Sequence, residues 1–241
     1  MFFIDPRYLI IMLPVMALTM WAQWRLRSVY GRYSQVNSLQ GLTGARAARV
    51  LLDSQGLSTV RIEELAGNDP LNNHYDPQDR VLRLSAQVAQ SQSVAALGVA
   101  AHECGHAVQH AEGYLPLQWR TTMVPAVNFG ANFGPILVMG GFALTVWFHF
   151  TRMLWLVWAG IGLFSLAALF ALLTLPVELN ASRRAMQLLQ NTGLIDRTEH
   201  GQASAVLNAA AWTYVAGLAA AVSQLLYYVM LATGLGGRRS G

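Results

Sequence analysis

Residues 93–106 read SVAALGVAAHECGH, and this stretch decides the fold, because the rest of the chain must be arranged around two histidines one helical turn apart. Val94, Leu97, Gly98, Ala101, His102, Gly105 and His106 recur at the spacing of one helix face, and Ser93 stands where an N-cap would satisfy a free backbone amide. Residues four apart on a helix have Cβ atoms roughly 5 to 6 Å apart, so the imidazoles of His102 and His106 can converge on one ion. Glu103 lies about 100° around the helix from His102. That is too far round for a third ligand but within reach of a water on the open side of the metal, the general-base position of the H-E-x-x-H zinc pattern. The competing reading is a buried polar trio with no ion. It is disfavoured, because each unsatisfied group on so apolar a helix costs roughly 1 to 3 kcal/mol.

A catalytic zinc takes three protein ligands and keeps a position for water, so one further ligand is required, with one zinc ion per chain. His110 shares the face, but eight residues place it about 12 Å along the helix from His102, beyond one coordination shell. Glu112 stands ten residues after His102, the spacing at which metzincins place a ligand, yet Gln109 occupies the position of the glycine that lets their chain turn. Glu178 follows a long apolar interval and Pro176 and opens the sequence Glu-Leu-Asn-Ala-Ser. A ligand this remote must lie on the same side of any bilayer as the histidines, so an even number of crossings must intervene. The hydropathy pattern supplies two, and Glu178 is the predicted third ligand. A short helix starting near Val177 is expected to run beneath the zinc helix with Asn180 and Ser182 close by, while Arg183 and Arg184 read as interfacial anchors.

Those crossings are read from charge-free intervals. Of 241 residues only 28 are charged and 54% are apolar, and mean hydropathy is +0.36. These values exclude disorder, a low-complexity scaffold and a typical cytosolic enzyme. Seventeen residues separate Arg7 from Arg25, enough for a first span over 8–24. Asp5 in the n-region and the lack of a small-x-small site argue that this segment stays as an anchor rather than being removed as a signal. Residues 134–175 form a transmembrane hairpin with its connector near Thr151 and Arg152, and 212–233 supply a fourth span. The tryptophans in or near these spans need only interfacial belting to explain them.

The polar remainder falls into 25–132 and 176–203. The first holds eight of the twelve acids and nine of the sixteen basic residues, all arginine. Within it, Thr43 to Ser54 reads as an amphipathic helix whose apolar face runs from Ala47 through Val50 and Leu51, with Gly56 as its stop. Val60 to Leu65 and Val81 to Ser85 alternate as strands, separated by turn residues Asn68, Asp69, Pro70 and Asp76 to Asp79. The single Cys104 excludes a disulfide framework or a cysteine metal cluster. No basic run suits nucleic acid. Near-span arginines number seven on the zinc side against four opposite, counting Arg238 and Arg239, which orients the site towards the cytoplasm.

Several separated segments together resemble the YugP-like neutral zinc metallopeptidases of bacterial membranes: His74 to Pro77, Val81 to Ser85, Ala100 to Gln109, Ala111 to Tyr114, Pro125 to Gly130, Pro176 to Arg184 and Leu207 to Ala211. The chain is more distantly similar to the HtpX-type membrane gluzincins, whose zinc motif is followed by spans and then Glu-x-x-Ala-Asp. The resemblance implies an α-helical integral membrane protein with four transmembrane helices and a small α+β zincin-like catalytic domain. It also implies a bacterial inner-membrane setting, protein or peptide substrates among membrane lipid, and Glu178 as third ligand. Ser182 departs from the wider pattern, since an aspartate that would orient a ligand is expected there. In gluzincins an edge strand before the zinc helix aligns the substrate as an added β-strand. Val81 to Ser85 is the expected edge, with Leu82 and Leu84 facing substrate. His74, Tyr75 and Tyr214 are candidate oxyanion donors, against turn packing for the first two and interfacial belting for the last. Two other classes compete with a zinc endopeptidase. A site-2-type intramembrane protease would hold the motif inside a span, and a zinc-binding membrane protein or transporter would close or multiply the ligand sites.

Overall fold

The computed structural model describes residues 5–66, 72–147 and 150–237. In chain order they form α1 (Pro6–Tyr33), α2 (Gly44–Ser54), β1 (Arg61–Leu65), β2 (His74–Asp76), β3 (Val81–Ser85), α3 (Ala86–Gln90), α4 (Val94–Ala111), α5 (Leu115–Val146), α6 (Leu154–Asn191) and α7 (Arg197–Gly237). The chain is mostly helical with one small three-stranded sheet. Among the described residues four helices are long and apolar enough to cross a membrane: Pro6–Tyr33, Leu115–Val146, Leu154–Asn191 and Arg197–Gly234.

The helices outrun the spans read from sequence, because a charge ends a membrane segment but does not end a helix. α1 continues through Arg25 and Arg27, and its buried Ala22, Leu26 and Tyr30 fall four residues apart, one stripe facing a core. α5 begins at Leu115, inside the stretch assigned to the polar region, and carries Pro125 and Pro135 within it. α6 runs unbroken across Pro176, where a fresh helix was expected. The turn residues Asn68 to Pro70, and Arg238 and Arg239, lie outside the described residues.

The chain divides into two compact units. In the first, Met1–Trp21, Trp119–Leu175 and Tyr214–Gly241, the helices meet through glycine. A Cβ on Gly160 would lie 2.6 Å from the Gly134 carbonyl oxygen, and one on Gly141 would lie 2.9 Å from the Val157 nitrogen. Close backbone approach of this kind substitutes for a hydrophobic driving force between helices in lipid. Val138, Val157, Ile161, Tyr228 and Ala232 are buried around these contacts.

The second unit, Ala22–Gln118 and Pro176–Thr213, has a conventional core. Leu51 and Leu52 of α2, Leu82 and Leu84 of β3, Leu97, Ala100 and Cys104 of α4, and Ala185 and Leu189 of α6 pack into one cluster. α2 is capped by the Thr43 hydroxyl, which accepts from the Arg46 amide, and the chain leaves the helix through Gly56 at φ +69°, as the sequence indicated. Its buried face is Ala47, Ala48, Leu51 and Leu52; Val50, assigned to that face, is 40% exposed because it sits a further 100° around.

The sheet order is β1-β3-β2, with β1 parallel and β2 antiparallel to β3. This corrects two expectations. A third strand, β2, begins at His74 where only a turn had been read, its three residues being too few for alternation to register. Val81–Ser85 is the central strand, paired over its full length with β1 and over Val81 to Arg83 with β2, so it is not the edge to which a substrate strand would add, and Leu82 and Leu84 are fully buried in the core rather than facing substrate.

Candidate metal centre

α4 starts at Ser93, whose hydroxyl accepts from the Ala96 amide, and runs with almost every side chain buried. Its close neighbour is the C-terminal part of α6. A Cβ on Gly105 would lie 2.5 Å from the Ala181 carbonyl oxygen, so only glycine permits this approach. The glycine thus does structural work between the two histidines of the motif. Ala181 stands three residues after Glu178, and the contact places that carboxylate opposite the imidazoles.

The Nε2 atoms of His102 and His106 lie 3.1 and 3.5 Å from Glu178 Oε2. The three ligand atoms are all within 4.8 Å of one another, and Glu178 is 2% exposed. Two neutral imidazole nitrogens and one carboxylate oxygen are a donor set suited to zinc. Burial alone would lower the His106 pKa. Hydrogen bonding and charge from Glu178, with the Glu103 charge added, outweigh it and hold the imidazole above its ordinary value. The pocket thus draws positive charge to the place where a divalent cation would sit, and the residues fit the ion.

Each imidazole has a second partner. His102 Nδ1 is 3.1 Å from Ser182 Oγ, so a hydroxyl stands where the wider pattern has a carboxylate. His106 Nδ1 is 3.0 Å from Gln109 Oε1. Gln109 Nε2 donates to the Val177 carbonyl and to Asn180 Oδ1, both at 2.9 Å. Arg184 Nε donates to the same Asn180 oxygen at 2.7 Å, and its other nitrogen pairs with Glu112 at 2.7 Å. Arg184, read as an interfacial anchor, therefore has local partners, and Glu112 is engaged by a guanidinium. Sequence reasoning had noted Gln109 only as a missing glycine. The available signal was a polar residue three positions after a ligand on a helix that is otherwise apolar.

Glu103 is buried, and its Oε2 accepts the Tyr75 backbone N–H at 3.0 Å. The strand that holds it is itself tied down: Arg83 pairs with Asp76 at 2.7 Å, with Asp79 at 2.8 Å and with Glu63 at 3.3 Å. The hydrogen bond from Arg83 keeps the Asp76 carboxyl below its usual range. Tyr75 directs its hydroxyl to His110 Nδ1 at 2.9 Å, and burial raises that phenol's pKa. His110 is thus a partner of Tyr75. His74 is exposed on β2. Tyr214 belongs to the other unit, in α7. Cys104 faces the core, where burial and the Glu103 charge push its thiol up, so it offers no thiolate to a metal.

Comparison with known proteins gives the same direction. A family described as "Putative neutral zinc metallopeptidase" matches residues 8–233. A Bacillus subtilis (strain 168) protein named "Putative membrane protease YugP" is 42% identical over 224 residues, which cover 93% of this chain and 96% of that protein. No solved structure matches.

Proposed function

Because the chain belongs to this neutral zinc metallopeptidase family, we propose that it is a gluzincin-like membrane endopeptidase that hydrolyses peptide bonds of membrane-associated or misfolded proteins. The observation that carries this reading is the convergence of His102, His106 and Glu178, remote in sequence, beside Glu103. His102, His106 and Glu178 hold one zinc ion. The zincin-like catalytic region is 25–132, completed by the helix segment within 176–203 that brings Glu178. The spans at 8–24, 134–175 and 212–233 anchor it in the bacterial inner membrane with the site towards the cytoplasm, following the arginine bias.

Zinc, when bound, supplies Lewis acidity, lowering the pKa of a coordinated water to about 7. Glu103 takes a proton from the attacking water and delivers it to the leaving amine nitrogen. The Tyr75 amide restrains Glu103 Oε2, which leaves Oε1 as the basic atom. Ser182 and Gln109 hold the imidazoles in place. His74, exposed on the strand that holds Glu103, is the candidate oxyanion donor. The edges of the sheet are β1 and β2, so a substrate strand would add at one of these rather than at β3. Against a site-2-type protease, α4 is not among the four helices apolar enough to span.

The test is metal content and peptide cleavage by the purified protein in detergent. Wild type should carry one zinc and cleave. Glu103→Gln should keep the zinc and lose about 10² to 10⁴ in rate, while Glu178→Ala should lose most of the zinc. Cleavage by Glu103→Gln at the wild-type rate would overturn the enzyme reading.

A further inference from the structure

The buried amide of Gln109 has only one orientation that satisfies every neighbour. Arg184 is purely a donor, so the Asn180 atom 2.7 Å from its Nε must be the oxygen Oδ1. That oxygen can only accept from Gln109, which places Nε2 towards it at 2.9 Å. The Val177 carbonyl, also 2.9 Å away and also only an acceptor, requires Nε2 at the same end of the amide independently. Gln109 Oε1 is therefore the atom 3.0 Å from His106 Nδ1, and since an oxygen cannot donate, Nδ1 must carry the proton. In the neutral ring this leaves the lone pair on Nε2, the nitrogen that lies beside Glu178.

We infer that Gln109 is a positioning residue for the metal: it fixes the tautomer and plane of His106 and locks both to the helix that carries Glu178. Val177 and Asn180 flank Glu178 in sequence, so one fully buried side chain spans both ligand-bearing helices and sets two ligands relative to each other. A neutral amide takes the place of the carboxylate that usually orients a zinc-bound histidine. The inference rests on the zinc reading of the site above.

The experiment compares wild type, Gln109→Leu and Gln109→Glu as full chains in detergent. It measures Zn²⁺ affinity by chelator competition and the visible spectrum of the Co²⁺-substituted proteins. Leucine keeps the volume and removes every hydrogen bond. Glutamate keeps the acceptor for the Nδ1 proton and removes both donated bonds to α6. Gln109→Leu should lose affinity about 10- to 100-fold with a changed cobalt spectrum, and Gln109→Glu, which keeps the acceptor for His106 but sets a carboxylate oxygen against the Val177 and Asn180 oxygens, should fall between leucine and wild type. A glutamate variant as weak as the leucine variant, or a leucine variant equal to wild type, overturns the positioning role. Should Gln109→Leu fail to fold, Gln109→Glu decides alone: a partial loss of affinity with a changed cobalt spectrum supports the role, and affinity and spectrum both equal to wild type overturn it. Wild type that binds no zinc overturns the reading of the whole site, whereas a failure confined to the Gln109 variants overturns only this inference.

Discussion

α6 meets a partner helix near each of its ends, and glycine makes both contacts possible. In the membrane unit Gly160 lies against Gly134 and Val138, where a Cβ would come within 2.6 and 2.8 Å of their backbone atoms. In the other unit Ala181 lies against Gly105, where a Cβ would come within 2.5 Å. The two contacts use the same device for different ends. Around Gly160 the neighbours are Val138, Val157 and Ile161, and close approach yields dispersion. Around Gly105 the helices carry Glu178, Ser182, Gln109 and both histidines, and the same closeness yields a ligand set and its supporting hydrogen bonds. Glycine in a helix costs roughly 1 kcal/mol against alanine. The contacts differ in what offsets that cost: packing in one and the assembly of the candidate metal site in the other.

Adding one methyl at each contact should separate the two roles most strongly. Gly105→Ala must push α4 and α6 apart, since the obstacle is a backbone carbonyl with no rotamer to yield. A shift near 1 Å in the ligand geometry should cost about 10²-fold in peptide hydrolysis, with a fall in zinc content. Gly160→Ala should lower thermal stability by about 1 to 3 kcal/mol through overpacking while zinc content stays that of wild type. Gly162→Ala, with nothing within 4 Å of the added Cβ, is the control for both. Equal loss of zinc in Gly105→Ala and Gly160→Ala would erase the distinction between the two contacts.

A smaller effect separates the metal-free from the loaded site by pH. The folded His106 pKa is raised above the ordinary imidazole value of 6.5 despite burial, through Glu178 first and Glu103 after it. The folded state therefore holds a proton that the unfolded chain has released. The stability this contributes is fully present below the unfolded pKa and is lost as pH rises through the folded one. Metal-free protein should lose thermal stability as pH rises above 6.5, the ordinary imidazole value. With zinc the trend reverses, because the metal needs unprotonated imidazoles and binds more tightly as pH rises. Metal-free protein that grows more stable across that rise would contradict the electrostatic account of the pocket.

The helical half of this site was legible in sequence because its period is local. His102, Glu103 and His106 declare one face within five residues, and Ser93 and Gly56 act as caps through nearest-neighbour chemistry. Glu178 was reachable by counting crossings, since topology constrains which distant residues can meet. Ser182 and Asn180 followed from their nearness to Glu178 in the chain. What escaped depends on contacts that no local pattern encodes. Whether Val81–Ser85 is a central or an edge strand is decided by β2, a strand too short to announce itself, so Leu82 and Leu84 were assigned to the substrate instead of the core. Gln109 gains its meaning only once α6 lies beside it. Pro176 looked like a helix start because proline removes one backbone bond, yet a helix as long as α6 keeps its path across one missing donor.

The smallest expected effect discriminates the ligand choice most sharply. Glu112 stands at the metzincin distance from His102, but its carboxylate is 2.7 Å from Arg184 and 54% exposed. A surface pair of this kind is worth about 0 to 1 kcal/mol, and Arg184 keeps its bond to Asn180 when Glu112 is removed. Glu112→Ala should therefore retain its zinc, keep its cleavage rate and shift thermal stability by no more than about 1 kcal/mol. Metal content measured beside Glu178→Ala gives the contrast. If Glu112→Ala lost zinc and Glu178→Ala kept it, the ligands would all come from α4 and the turn after it. The closeness at Gly105 would then be packing like that at Gly160, and the two contacts of α6 would cease to differ in kind.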